Sequence, residues 1–199
     1  MKKPPYEFHF DRGQARHMVG DLPGAMADYS EAIRLNPDFA PAFNNRGGVF
    51  FAQKNLKSAL QDFNKAIMLD PQLAAAYIGR GNVYKMLGES AQALVEYNAA
   101  LESDSQLVEG YANRGAIFRE QGDYARALDD VEAALRLNPD YLPAYLSRGW
   151  LRYKLDNAQG AIDDYEAYLA LGGGERYGHG DAIQQKIKSI KAEITQNDL

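Results

Sequence analysis

The chain has 199 residues, 46% hydrophobic and 25% charged, with a formal net charge of −5 and no cysteine. That length and apolar fraction suffice for one domain-sized core. The acidic balance argues against nucleic acid as partner, which needs a basic face, and the lack of cysteine excludes disulfides, thiol catalysis and thiolate-bound metal.

The first residues, Met1-Lys2-Lys3-Pro4-Pro5, carry charge with no apolar run behind them, so no signal peptide is expected. No stretch approaches the roughly 18 apolar residues of a membrane span. The expectation is a cytoplasmic protein that makes no use of a membrane.

From Arg12 onward the chain keeps time. Arg-Gly recurs at Arg12-Gly13, Arg46-Gly47, Arg80-Gly81, Arg114-Gly115 and Arg148-Gly149, each 34 residues after the last. Alanine follows at Ala25, Ala59, Ala93, Ala127 and Ala161, and a large side chain four residues later at Tyr29, Phe63, Tyr97, Val131 and Tyr165. Proline closes three units, at Pro37, Pro71 and Pro139.

Each unit reads as two helices. In residues 40–73, Ala42, Phe43, Val49 and Phe50 mark a first apolar stripe. Leu56, Ala59, Leu60, Phe63, Ala66 and Ile67 mark a second, at helical spacing. Pro71 stops it. Gly20-Asp21, Gly88-Glu89 and Gly122-Asp123 supply the turn between helices in other units, a C-cap glycine and its follower.

Glycine inside a helix costs about 1 kcal/mol against alanine, so five at one phase imply a close helix crossing. On this reading Gly13 faces Ala25, and the large residue fills the space beside the crossing. An acid also stands sixteen residues after every repeat arginine: Asp28, Asp62, Glu96, Asp130 and Asp164. Five structural ion pairs are predicted, within or between neighbouring units.

This pattern resembles the tetratricopeptide repeat (TPR) family: a small residue at the eighth of 34 positions, alanine at the twentieth, an aromatic at the twenty-fourth, alanine at the twenty-seventh and proline at the thirty-second. The units are 6–39, 40–73, 74–107, 108–141 and 142–175, forming with the remainder a single domain. Departures are Ser105 and Gly173 for proline, Tyr168 for alanine, and Arg16 for an aromatic at the eleventh position, which suggests an exposed N-terminal face. The resemblance implies an all-α, right-handed superhelical solenoid of helix-turn-helix units.

Past the fifth unit, the segment 172–180 is rich in glycine. It lacks the lysine and hydroxyl of a phosphate-binding loop and reads as a flexible connector. Asp181 then caps a helix of about 181–196. Its stripe of Ile183, Ile187, Ile190 and Ile194 suits a capping helix over the end of the array.

The resemblance further implies that the first helix of each unit lines a concave groove. Carried onto this sequence, the groove residues for a peptide are Asn45, Phe51, Ile78, Asn82, Lys85, Asn113, Arg119, Trp150 and Tyr153. Asparagine amides suit an extended backbone, and aromatic residues with arginine suit anchoring. For Trp150, Tyr153 and Phe51 the alternative is packing between helices. The lysine and asparagine pattern that clamps chaperone tails is incomplete, with Ile78, Pro143 and Ser147 where cations belong.

No catalytic constellation is found. His9, His17 and His179 are too scattered to hold a metal, and no cofactor is implied. The function expected is a protein-protein interaction scaffold, monomeric, binding a peptide or partner segment. The alternative is a self-assembling module that builds a homo-oligomer.

Overall fold

A computed structural model describes residues 3–197, which hold twelve helices and no strand. The chain divides into two compact units, Met1–Ser105 and Gln106–Leu199. The first holds three hairpins: α1 (Pro5–Met18) with α2 (Leu22–Leu35), α3 (Ala40–Ala52) with α4 (Leu56–Leu69), and α5 (Ala74–Met86) with α6 (Ser90–Ser103). There α2 packs on α3 and α4 on α5, while α1, α3 and α5 lie in series. The second unit pairs α7 (Val108–Glu120) with α8 (Tyr124–Leu137) and α9 (Leu142–Lys154) with α10 (Ala158–Ala170). It ends in a short α11 (Gly173–Tyr177) and a longer α12 (Gly180–Asn197).

Local chemistry sets the helix ends. Asp21, Asn55, Asp123 and Asn157 accept N-cap hydrogen bonds from the backbone of Gly24, Ser58, Arg126 and Gly160, each contributing about 1 kcal/mol. Between the helices of every hairpin one residue is left-handed. It is glycine at Gly20, Gly88 and Gly122, but Lys54 and Asp156 occupy the same step at φ 60°.

The close crossings exist, with one correction to their partner. The large side chain covers the glycine itself; it does not lie beside a glycine-alanine contact. A Cβ on Gly13 would come within 2.7 Å of the Tyr29 ring, and one on Gly149 within 2.8 Å of Tyr165. Phe63 lies between two glycines, Gly47 of its own hairpin and Gly79 of the next. A planar ring needs a flat backbone surface to reach van der Waals contact, and glycine supplies it. Gly115 differs. Its nearest neighbours would be Asp130 Cβ and the Ala127 carbonyl oxygen, with Val131 at 3.7 Å.

All five ion pairs form, each within its own hairpin: Arg12 with Asp28 at 2.5 Å, Arg46 with Asp62 at 2.7 Å, Arg80 with Glu96 at 2.8 Å, Arg114 with Asp130 at 2.7 Å and Arg148 with Asp164 at 2.6 Å. The carboxylates are buried. Four of the guanidiniums also lie over an aromatic ring three residues earlier, at Phe43, Tyr77, Tyr111 and Tyr145. Arg46 donates onward to Ser30 and Arg80 to Asn64, so these two arginines also fasten a hairpin to the one before it.

Arg16 does not merely expose the N-terminal face. It donates to Asp28 at 2.8 Å and gives that carboxylate a second cation. Arg152, at the matching position of the fifth repeat, does the same for Asp164 at 3.0 Å.

The glycine-rich segment is an ordered turn, a correction to the flexible connector. Gly173 and Gly174 are buried in α11, and the Tyr168 hydroxyl donates to the Gly173 carbonyl at 2.7 Å while meeting His179 Nε2 at 2.9 Å. Tyr168, standing where the repeat has alanine, is what orders it. Beyond it α12 packs on α10: Ile187 and Ile190 are buried against Ala161, Ile162 and Tyr165, with Ile183 and Ile194 at the edges of the same cluster.

Candidate functional site

The repeat arginines are paired with carboxylates, and the residues that the family resemblance placed in a groove all lie on the first helices α3, α5, α7 and α9. In the first unit, Gln14, His17 and Met18 of α1, Tyr29 of α2 and Asn45 of α3 line one pocket. Met18 stands almost wholly in solvent, whereas Tyr29 is fully buried. The Tyr29 hydroxyl has no hydrogen bond of good geometry. Burial raises its pKa, and the neighbouring Asn45 amide opposes the shift. Asn45 itself accepts from Asn44 Nδ2 at 3.0 Å.

Further along this unit, Asn82 accepts from the Tyr97 hydroxyl at 2.8 Å, which fixes the amide on α5. Ile78 and Lys85 are half-buried on the same helix. Phe51 packs against the cluster of Ala59, Phe63 and Val83, so its ring belongs largely to the space between helices.

In the second unit, Asn113 and Arg119 of α7 line a cavity with Val131 and Ala134 of α8, Tyr141, and Ser147 and Leu151 of α9. Arg119 lies 5.7 Å from the Trp150 ring centroid and Lys154 5.5 Å from it, while Tyr124 meets the indole edge-on at 5.4 Å. Trp150 is half-buried, an indole with cations around it. Tyr153 is taken up by α12. Its hydroxyl donates to Glu193 at 2.7 Å, and Lys186 sits over its ring at 4.0 Å. The bond to Glu193 raises the Tyr153 pKa and lowers that of Glu193.

Asn113, Arg119 and Trp150 are thus brought together, Asn45 joins the Tyr29 pocket, and Phe51 and Tyr153 are engaged in packing. Two features escaped the sequence reading. Tyr124 against Trp150 lies on a second helix, outside the phases considered. The cavity beside Val131 was legible only as a valine in an aromatic column. Among the described residues no group of histidine and carboxylate side chains could hold a metal ion, and no helix is long and apolar enough to cross a membrane.

Hairpins repeating at 34 residues, crossing through glycine and ending in a capping helix, define a helical-repeat scaffold. Descriptions of the TPR repeat match residues 13–54 and 47–88, and the tetratricopeptide repeat description matches residues 115–188. The chain belongs to the tetratricopeptide repeat family.

Solved structures share its fold. PilF of Pseudomonas aeruginosa superposes with a TM-score of 0.80 at 19% identity, over 96% of this chain and 90% of that one. YrrB, described as a TPR protein with an unusual peptide-binding site, gives 0.64 at 19% identity, over 89% and 90%. Yeast Tom70 gives 0.79 at 14% identity, over 96% of this chain and 40% of that one. Comparison with curated proteins finds no match.

Proposed function

We propose that the chain is an interaction scaffold that holds a peptide or an extended partner segment on its first-helix face. One observation carries the reading: in each of the two compact units one pocket opens at the same repeat positions, between a first helix, the large residue of its hairpin and the next first helix. The residues at these mouths are amides, an imidazole and a guanidinium beside apolar walls, the mixture that orients a peptide backbone while burying side chains. The description of YrrB as peptide-binding, on the same fold, supports the reading.

The test is site-specific photo-cross-linking in the native host. A photoreactive residue at Asn45, Ile78 or Asn113 is expected to capture a partner, while one at Val95, exposed on the second helix α6, captures none. Capture from Val95 alone would move the binding surface to the other face. Capture only of a second copy of this chain would favour self-assembly.

A further inference from the structure

The fourth repeat lacks something the other four have. Tyr29, Phe63, Tyr97 and Tyr165 are buried rings laid on the glycines of their own hairpins. The fourth repeat keeps Gly115 but has Val131 in place of the ring. Leu151 on the next first helix, where the first two hairpins are followed by Val49 and Val83, fills part of the space. A cavity of about 180 Å³ remains, walled by Gly115, Ala116, Val131, Ala134, Ala144 and Leu151.

A cavity of about 150 Å³ with apolar walls admits benzene, so this one accepts a phenyl or phenol ring. Its floor is apolar: Ala134 is fully buried and Leu151 nearly so. Its mouth carries Asn113, Ser147 and Arg119, at the positions read as the binding face.

The rim carries one cation, Arg119, and a second, Lys154, stands near it outside the cavity lining. Arg119 and Lys154 both lie against Trp150, and among the described residues neither makes an ion pair. Elsewhere in this acidic chain the arginines of the repeat are matched by carboxylates of their own hairpins. A cation at the mouth of a ring-sized cavity, with a second across the neighbouring indole, suits a partner that carries negative charge beside its ring.

We propose that the cavity between α7, α8 and α9 is a subsite for an aromatic side chain of a partner peptide, with an acidic residue next to that side chain meeting Arg119 and Lys154. The ligand's ring takes the place that Tyr29, Phe63, Tyr97 and Tyr165 fill from within their own hairpins. This rests on the first-helix face being the binding surface and adds what that surface selects.

Trp150, the only tryptophan, reports on the rim. The full chain is titrated with a blocked Glu-Phe-Glu peptide and followed by its fluorescence. Saturable binding is expected, about tenfold or more tighter than for Glu-Ala-Glu or Lys-Phe-Lys, a difference of about 1.4 kcal/mol per factor of ten. Val131→Phe fills the cavity from inside. It should raise Tm and weaken Glu-Phe-Glu binding at least about tenfold, as a ring's loss of its pocket would.

Ala116→Leu, which crowds the same space from α7, is the second blocking variant should Val131→Phe not fold. Equal affinity for the Phe and Ala peptides, or unaltered binding by the blocked variants, overturns the subsite. So does self-association of the parent that Val131→Phe abolishes, since the occupant would then be a second copy. Cross-links from the first-helix face together with an unselective cavity would sink the subsite alone; cross-links confined to Val95 would sink the face on which it depends.

Discussion

The phenol of Tyr97 lies on Gly81 so closely that a Cβ there would come within 2.6 Å of ring carbon Cε1, and its hydroxyl donates to Asn82 on the same helix as Gly81. Tyr97 is fully buried, so the ring is held at both ends and cannot withdraw. Gly81→Ala should therefore destabilise by about 1–3 kcal/mol, as overpacking does, despite the gain of about 1 kcal/mol in helix propensity. Gly115→Ala, where no ring stands opposite, should be within about 1 kcal/mol of the parent. Urea unfolding of the two variants checks the contrast, and equal losses would show that the ring does not set the crossing.

The contrast also marks what the sequence made legible. Spacing alone identified the hairpins, the glycine crossings and all five ion pairs, because each rests on residues repeated at a fixed phase. It could not say which side chain covers the glycine, since Ala25 and Tyr29 are one helical turn apart and both face the crossing; ring size decided that. Singular features were harder. Tyr168 orders α11 through a bond to Gly173 that no repeated pattern announces. For Tyr153 the phase left groove lining and packing between helices both open, and the structure has α12 meeting it through Glu193 and Lys186. Helical phase says which way a residue points but not what arrives from elsewhere in the chain to meet it.

Lys54 and Asp156 adopt φ 60° at the step where Gly20, Gly88 and Gly122 stand in other hairpins. A Cβ in the left-handed region costs about 1–2 kcal/mol, partly offset by the larger entropy that glycine loses on folding. Lys54→Gly and Asp156→Gly should each stabilise by about 0.5–1 kcal/mol, read as a raised urea midpoint with an unchanged slope. Loss of stability in both would show that these side chains make contacts outweighing the strain.

Asp28 is buried and accepts hydrogen bonds from Arg12 and Arg16. The Arg12 hydrogen bond is the first cause holding its pKa below the ordinary aspartate value. A carboxyl with a lower pKa folded than unfolded binds fewer protons in the native state. Its contribution is therefore complete above the unfolded pKa near 3.9 and is lost as pH falls through the folded value. Asp28→Asn should cost about 1.5–3 kcal/mol at pH 7, the range for a hydrogen bond to a charged group. The gap to the parent should narrow as pH falls below about 4. A gap constant from pH 7 to pH 2.5, measured by urea unfolding, would mean that the ionised form of Asp28 contributes nothing.

The capping helix closes the second unit through apolar contact first and polar contact second. Ile190 is fully buried, packed with Ile187 on Tyr165, Ile162 and Ala161. The Tyr153–Glu193 hydrogen bond and the Lys191–Glu166 pair lie at the exposed margin. Truncating a buried isoleucine removes its transfer energy and leaves a cavity that the surroundings only partly fill, so Ile190→Ala should cost about 2–5 kcal/mol. Glu193→Gln, which keeps an acceptor for the Tyr153 hydroxyl, should leave the urea midpoint close to the parent's, because exposed ion contacts contribute little. Hydrogen exchange gives the sharper reading. In Ile190→Ala, amides of α12 and α10 should lose protection while those of α1 to α4 keep theirs, because each repeat leans on its nearest neighbours. Uniform loss of protection from α1 to α12 would show that the array unfolds as one cooperative body.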